Sequence, residues 1–222
     1  MARQARLCIP GHPHLVSQRG HNRQPVFVDE ADRRDYLVLL GQAAKAAEVA
    51  LHAYGLSTSD VVLLATPAHA DGLSLMMQSV GRRYGMAFNR RHGRSGSLWD
   101  GRFRAVPIEA EPHLLAAMRF VEGGMPPREA SSAEHHLGRG SSPIVSDHAL
   151  YWALGNTPFD REMKYRAWTE AGPSAAETER FERALAQGWP VGSAAYLERL
   201  APLAGGRRLA AKTRGRPPKA PR

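Results

Sequence analysis

Asp60 and Val62 stand two positions apart at the start of an apolar run, Val61 to Ala65, within the stretch Leu51 to Pro67. The stretch reads as a hairpin: an alternating strand to Leu56, a polar turn at Ser57 to Ser59, and a buried second strand. Strand side chains alternate between faces, so positions 60 and 62 share one face about 6.6 Å apart. Two donors at that spacing could grip a metal ion, but one carboxylate and one isopropyl group do not make the pair. His12 and His14 have the same two-residue spacing, and His135 and His136 are adjacent. Adjacent side chains of an extended segment point to opposite faces, so the second pair reads as part of a solvated linker. Tyr84 carries a hydroxyl that could act as a nucleophile, yet it shares a helical stripe with Val80 and Phe88 and reads as core.

Arginine supplies the other chemistry. The 222-residue chain has a formal charge of +9, and residues 205–222 hold seven basic residues and no acid, leaving +2 for the rest. Within that remainder, Gly81 to Arg104 carries Arg82, Arg83, Arg90, Arg91, Arg94, Arg102 and Arg104 against Asp100 alone. Two concentrated basic patches in a near-neutral background point to a polyanion, most simply nucleic acid, bound through phosphate contacts. His92 or Trp99 could stack on an unpaired base, although Trp99 reads equally well as a loop anchor. In the tail, Arg214-Gly215-Arg216-Pro217 has the form of an AT-hook, whose arginines enter a narrow A·T-rich minor groove.

The elements that must hold these groups follow from periodicity. A short strand over residues 13–18 and a turn at 20–23 precede a helix over 30–48, with Asp29 as its N-cap. The hairpin comes next, followed by a helix over 71–89 with an inward stripe of Leu73, Met76, Met77, Val80, Tyr84 and Phe88. Residues 102–109 alternate as a fourth strand, and 111–122 form a third helix with Leu114, Met118 and Val121 on one side. The order is β-α-β-β-α-β, an α+β, ferredoxin-like antiparallel sheet with helices on one face and the other face open to a ligand. This domain is expected to span 1–125, then a Gly/Pro/Ser/His linker over 126–143, a helical appendage over 144–204 anchored by aromatic residues, and a basic disordered tail over 205–222. The one cysteine, Cys8, excludes an internal disulfide and reads as a small apolar filler. With no long apolar run and no signal-peptide pattern, a soluble cytoplasmic protein without a membrane partner is expected.

The segment Ile9-Pro10-Gly11-His12-Pro13-His14-Leu15-Val16-Ser17-Gln18-Arg19-Gly20-His21-Asn22-Arg23-Gln24-Pro25 resembles the opening of the REP-associated tyrosine transposases. These are bacterial relatives of the single-strand insertion-sequence transposases of the HUH superfamily. Asp71 to Ser79, Gly81 to Tyr84, Phe88 to Arg94, Leu98 to Phe103, Tyr151 to Leu154 and the Arg-Gly-Arg-Pro tail extend the resemblance, in order, over nearly the whole chain. In that family, two histidines flanking an apolar residue on a strand hold a divalent metal such as Mg²⁺, and a tyrosine on a nearby helix attacks the DNA to form a 5′-phosphotyrosine. His12-Pro13-His14 falls where the family has a structural strand entry.

The resemblance implies the fold and a DNA partner, but its active residues do not carry over. The histidine pair aligns with Asp60 and Val62, the tyrosine with Phe120, and the usually polar position one turn on with Gly124. Valine has no lone pair for a metal and phenylalanine no oxygen to attack with. The expectation is a catalytically inactive, nucleoid-associated DNA-binding protein with no metal cofactor. Its ligands would be hairpin or single-stranded DNA, and through its tail A·T-rich duplex. One alternative is an active single-strand nuclease using Asp60 with a displaced ligand. Another is a protein-interaction module built on the aromatic-rich appendage.

Overall fold

The computed structural model describes residues 6–124 and 128–210. Strands β1 (His14–Arg19), β2 (Val49–Leu56), β3 (Asp60–Pro67), β4 (Arg104–Pro107) and the two-residue β5 (Ala130–Ser131) form one antiparallel sheet in the order β4-β1-β3-β2-β5. β2 and β3 are the expected hairpin, closed where the Ser57 amide donates to the Asp60 carbonyl at 2.9 Å. Helices α1 (Glu30–Ala46) and α2 (Gly72–Arg91) complete the β-α-β-β-α-β order, and α3 (Ala110–Gly123) follows β4. Asp29 caps α1 by accepting the Asp32 amide at 2.9 Å, which satisfies one of the helix's orphan donors.

α1 and α2 cover one face of the sheet. Their stripes, with Tyr36, Leu40 and Ala43 from α1 and Met76, Val80 and Tyr84 from α2, bury against Val16, Val61, Leu63 and Ala65. Tyr84 is a core residue, as its periodicity predicts, and its hydroxyl donates to the Val26 carbonyl at 2.6 Å.

The second face is not open. α3 lies on it, burying Leu114, Ala117 and Val121 against Leu15, Ala53, Leu64 and Val106. Among the described residues, five further α-helices follow: α4 (Ala133–His136), α5 (Ala149–Trp152), α6 (Pro158–Glu170), α7 (Ala175–Gln187) and α8 (Ala194–Leu200). α3 is sandwiched, because every residue from Ala116 to Glu122 is buried, and a helix buried all round needs a second layer outside it. Arg119 is held to that layer by its Glu177 ion pair at 2.8 Å, the Trp168 carbonyl at 2.9 Å and the Trp168 ring at 3.8 Å. α7 is itself well capped, with a Ser174–Glu177 capping box at one end and Gly188 in the left-handed region, φ 74°, at the other. Gly55 of β2 lets α3 approach, since a Cβ there would collide with the Val121 carbonyl oxygen.

The segment whose composition reads as a linker is also part of the packed structure where it is described. Ala130 and Ser131 pair with Leu56 and Gly55 at the sheet edge. His136 is fully buried rather than solvated, because Glu122 on α3 provides its partner: Nδ1 lies 2.5 Å from Oε1. That carboxylate also accepts from Ser132 Oγ at 2.6 Å and, through Oε2, from the Tyr165 hydroxyl at 2.7 Å. Burial works against the charged form of His136, but the Asp147 and Glu122 carboxylates outweigh it and hold its pKa up at about 9.

Candidate nucleic-acid cleft

Strand register assembles the cleft. Arg104, Ser17, Val62 and Gly55 are successive cross-strand partners on β4, β1, β3 and β2, so all four point to the second face. In the next row, Arg19 faces Asp60. α3 crosses above and brings Phe120 over Val62, while α7 closes one wall with Glu182 and Leu185. The space enclosed is about 420 Å³, within the range of ordinary ligand sites. Positions 60, 62 and 120, distant in sequence, thus line one cleft.

Each of the three is occupied in a way that defines what the cleft can do. Asp60 Oδ1 pairs with Arg19 Nε at 2.7 Å, and its Oδ2 takes the Ser59 hydroxyl at 2.9 Å. Val62 and Phe120 are both buried, and the Phe120 ring packs 5.3 Å from that of Phe181. The strand pair to which the resemblance assigns a metal therefore offers one carboxylate already paired to a guanidinium, and no second donor. The residues present do not fit that ion. Asp100 and Glu182 also line the cleft. They do not converge with Asp60: among the described residues, the trio of possible ligand atoms within 4.8 Å of one another is His135, His136 and Asp147, elsewhere.

Four guanidinium groups surround this apolar floor. Arg104 Nη1 donates to the Leu185 and Ala186 carbonyls at 3.4 and 3.2 Å, contacts that position its charge without cancelling it. Arg128 Nε donates to the Val121 carbonyl at 3.1 Å at the end of α3. Burial presses Arg128's pKa below its ordinary value, and the Asp60 charge works the other way. Arg19 and Arg102 complete the set, opposed by Asp60, Asp100 and Glu182.

The arginines of α2 and of the loop after it divide. Arg82 joins Arg102 along a second groove beside the β4 edge. Arg83 points to α1, donating to Gln42 at 2.8 Å, and Arg94 donates to Gln24 at 2.9 Å. Arg91 is paired with Asp29 at 2.5 Å and Asp32 at 3.2 Å, so its charge is already matched, and Arg90 is exposed. Arg214 and Arg216 lie outside the described residues.

Two stacking candidates are corrected. Trp99 is buried among Tyr36 and Tyr84 with its indole N–H on the Gly81 carbonyl at 3.2 Å, so it anchors its loop. His92 is locked between Asp32, 2.9 Å away, and the Phe88 ring, 4.4 Å away. His14 is likewise committed: Nε2 accepts the Ile9 amide at 3.1 Å and Nδ1 meets the His12 carbonyl at 2.7 Å. Conversely, Arg19 and Arg128 were not among the residues singled out by sequence. Arg19 enters through the β1–β3 register, as the cross-strand partner of Asp60, which the folded sheet alone sets. Arg128 follows Pro126-Pro127, a context that reads as linker.

No protein-family model matches the chain, and no curated protein matches it by sequence. Among solved structures, a REP-associated tyrosine transposase bound to a REP hairpin is similar, with 14% identity, 67% of this chain and 92% of that one covered, and a TM-score of 0.50. A putative transposase from Deinococcus radiodurans R1 aligns at 20% identity over 55% of this chain and 98% of that one, with a TM-score of 0.39. At 14% identity the first likeness speaks of fold alone: over 67% of its length, this chain is folded similarly to a REP-associated tyrosine transposase.

Proposed function

We propose that this protein binds DNA in the cleft beneath α3 and does not cut it. One observation carries the reading. The positions to which the resemblance assigns metal ligands and nucleophile meet in one arginine-lined cleft, yet hold Asp60, Val62 and Phe120. Arg104 and Arg128 bring positive charge to the strand face, where it can meet a phosphate. Arg19, held by Asp60, fixes the far end of the cleft. Val62 and Phe120 give an apolar floor with no lone pair for an ion and no hydroxyl to attack phosphorus. The similar transposase was solved with a REP hairpin, so hairpin or single-stranded DNA is the first ligand to try. Arg82 and Arg102 extend the basic track around the β4 edge, and the Arg214–Arg216 motif would add duplex contacts in an A·T-rich minor groove. These contacts would place the protein on the nucleoid. No helix among the described residues is long and apolar enough to cross a membrane.

The test is fluorescence anisotropy with hairpin, single-stranded and duplex oligonucleotides across a salt series, with a parallel incubation in Mg²⁺ or Mn²⁺ run on denaturing gels. Salt-dependent binding with intact, unlinked DNA is expected. Lack of binding to all three ligands rejects the proposal, and a nicked strand or protein-DNA adduct replaces it with the nuclease reading. A protein-interaction role for the C-terminal helices rests on the exposed Trp152, Phe159 and Met163. It would show as nucleoid localisation unchanged by deleting residues 205–222 together with absent DNA binding.

A further inference from the structure

His135, His136 and Asp147 take no part in the cleft. Asp147 Oδ1 stands 3.2 Å from His135 Nε2 and 3.5 Å from His136 Nε2, and one ligand atom from each of the three residues lies within 4.8 Å of the others. Two donors on a four-coordinate zinc ion are about 3.3–3.5 Å apart, from bonds of about 2.0–2.2 Å and the tetrahedral angle. The 3.5 Å separation is of that size and the 3.2 Å one slightly shorter. His136 Nε2 is fully buried, and its one close partner is Asp147 Oδ1 at 3.5 Å, the outer limit of a hydrogen bond. A buried ring nitrogen held by one long contact leaves a closer partner wanting in this polar cluster.

We propose that His135 Nε2, His136 Nε2 and Asp147 Oδ1 form a binding site for a divalent cation of the zinc class. Two imidazoles and one carboxylate suit Zn²⁺ better than Mg²⁺, which prefers oxygen ligands and keeps its water. The surroundings fit a metal-binding histidine. Glu122 holds His136 Nδ1 at 2.5 Å, which turns Nε2 toward Asp147, the way a carboxylate orients a ligand imidazole. His135 and Asp147 side chains are 22% and 18% exposed, so an ion can enter from solvent and water can take the fourth position. A bound ion draws the three side chains onto one centre. It ties α4 to the start of α5 and, through Glu122, to the helix that carries Phe120. One contact must give way. The Ser142 amide donates to His135 Nδ1 at 3.3 Å, which puts the ring proton on Nε2, and ligation moves it to Nδ1.

The test uses the full chain, untagged, stripped with chelator and titrated at pH 8 with Zn²⁺ against a chromophoric chelator, with Co²⁺ as a spectroscopic substitute. One equivalent is expected to bind, with the strong visible absorption of four-coordinate Co²⁺ and no competition from equimolar Mg²⁺. His135→Ala and Asp147→Asn should each weaken it at least tenfold, by analogy with the loss seen on removing even outer partners. Both ligands are partly exposed, so these variants should keep the wild-type circular dichroism. Hydrogen exchange on the wild-type protein gives a readout that needs no variant: on loading, the Ser142 amide should exchange faster and α4 more slowly. Zinc binding no tighter than that of the His135→Ala/Asp147→Asn double variant overturns the proposal, as does exchange at Ser142 that loading leaves unchanged.

Discussion

Replacing Arg104 with Gln isolates the electrostatic part of DNA binding. The guanidinium reaches the cleft from β4 and is held by two carbonyl groups, so its full charge is available to a phosphate. Each phosphate neutralised contributes a slope of about 0.7 for single strands and 0.9 for duplex in log affinity against log salt. At 0.1 M salt, one contact is then worth about 1 kcal/mol, or a five- to eightfold change in Kd. Arg104→Gln should lower affinity by that factor, reduce the slope by about 0.7–0.9, and converge on the wild type as salt approaches 1 M. Arg91→Gln is the contrast: its charge is already matched by Asp29 and Asp32, so it should cost stability and leave the slope alone. Anisotropy titrations at four or five salt concentrations, with thermal melts of each variant, measure both quantities. Equal slope losses for Arg104→Gln and Arg91→Gln would refute the assignment of the cleft, because the two side chains would then act as members of one diffuse patch.

Three further outcomes test the fold around the cleft. Gly55→Ala should destabilise by about 1–3 kcal/mol, since the added methyl meets a backbone oxygen of α3 that cannot swing aside; an unchanged denaturation midpoint would contradict the packing. Glu122→Gln should be among the most damaging single changes, about 3 kcal/mol or more, because it strips the carboxylate from buried His136, Ser132 and Tyr165 together; urea titration at pH 7 reads the loss. His14 and His52 both have native pKa values lowered to about 4, chiefly by burial. The unfolded chain, with values near 6.5, binds their protons first, so stability is full above about pH 6.5 and falls as pH drops toward 4. At pH 5 each should cost about 2 kcal/mol. A urea midpoint that does not move between pH 7 and pH 5 would show that these rings are not buried neutral.

Local sequence was sufficient for the hairpin, the two helices on the first face, the Asp29 cap and the shared face of positions 60 and 62. Each depends on neighbours a few residues away, through strand alternation or the helical period. It was also sufficient to see that Val62 and Phe120 cannot do metal or nucleophile chemistry, because that is a property of the side chains themselves. What covers the second face was not legible. Arg119 and Glu122 look like an outward polar side of α3, and only partners 49, 58 and 14 residues away, Trp168, Glu177 and His136, turn that side inward. The same holds for the arginines. A run of like charge reads as one patch, but Arg91 finds Asp29 62 residues back and Arg104 finds the carbonyls of α7 81 and 82 residues ahead. Tertiary contact therefore decides which charges are already matched and which can meet a phosphate, because the energy of a charge depends on what lies within a few ångströms of it in space, and chain order does not encode that distance.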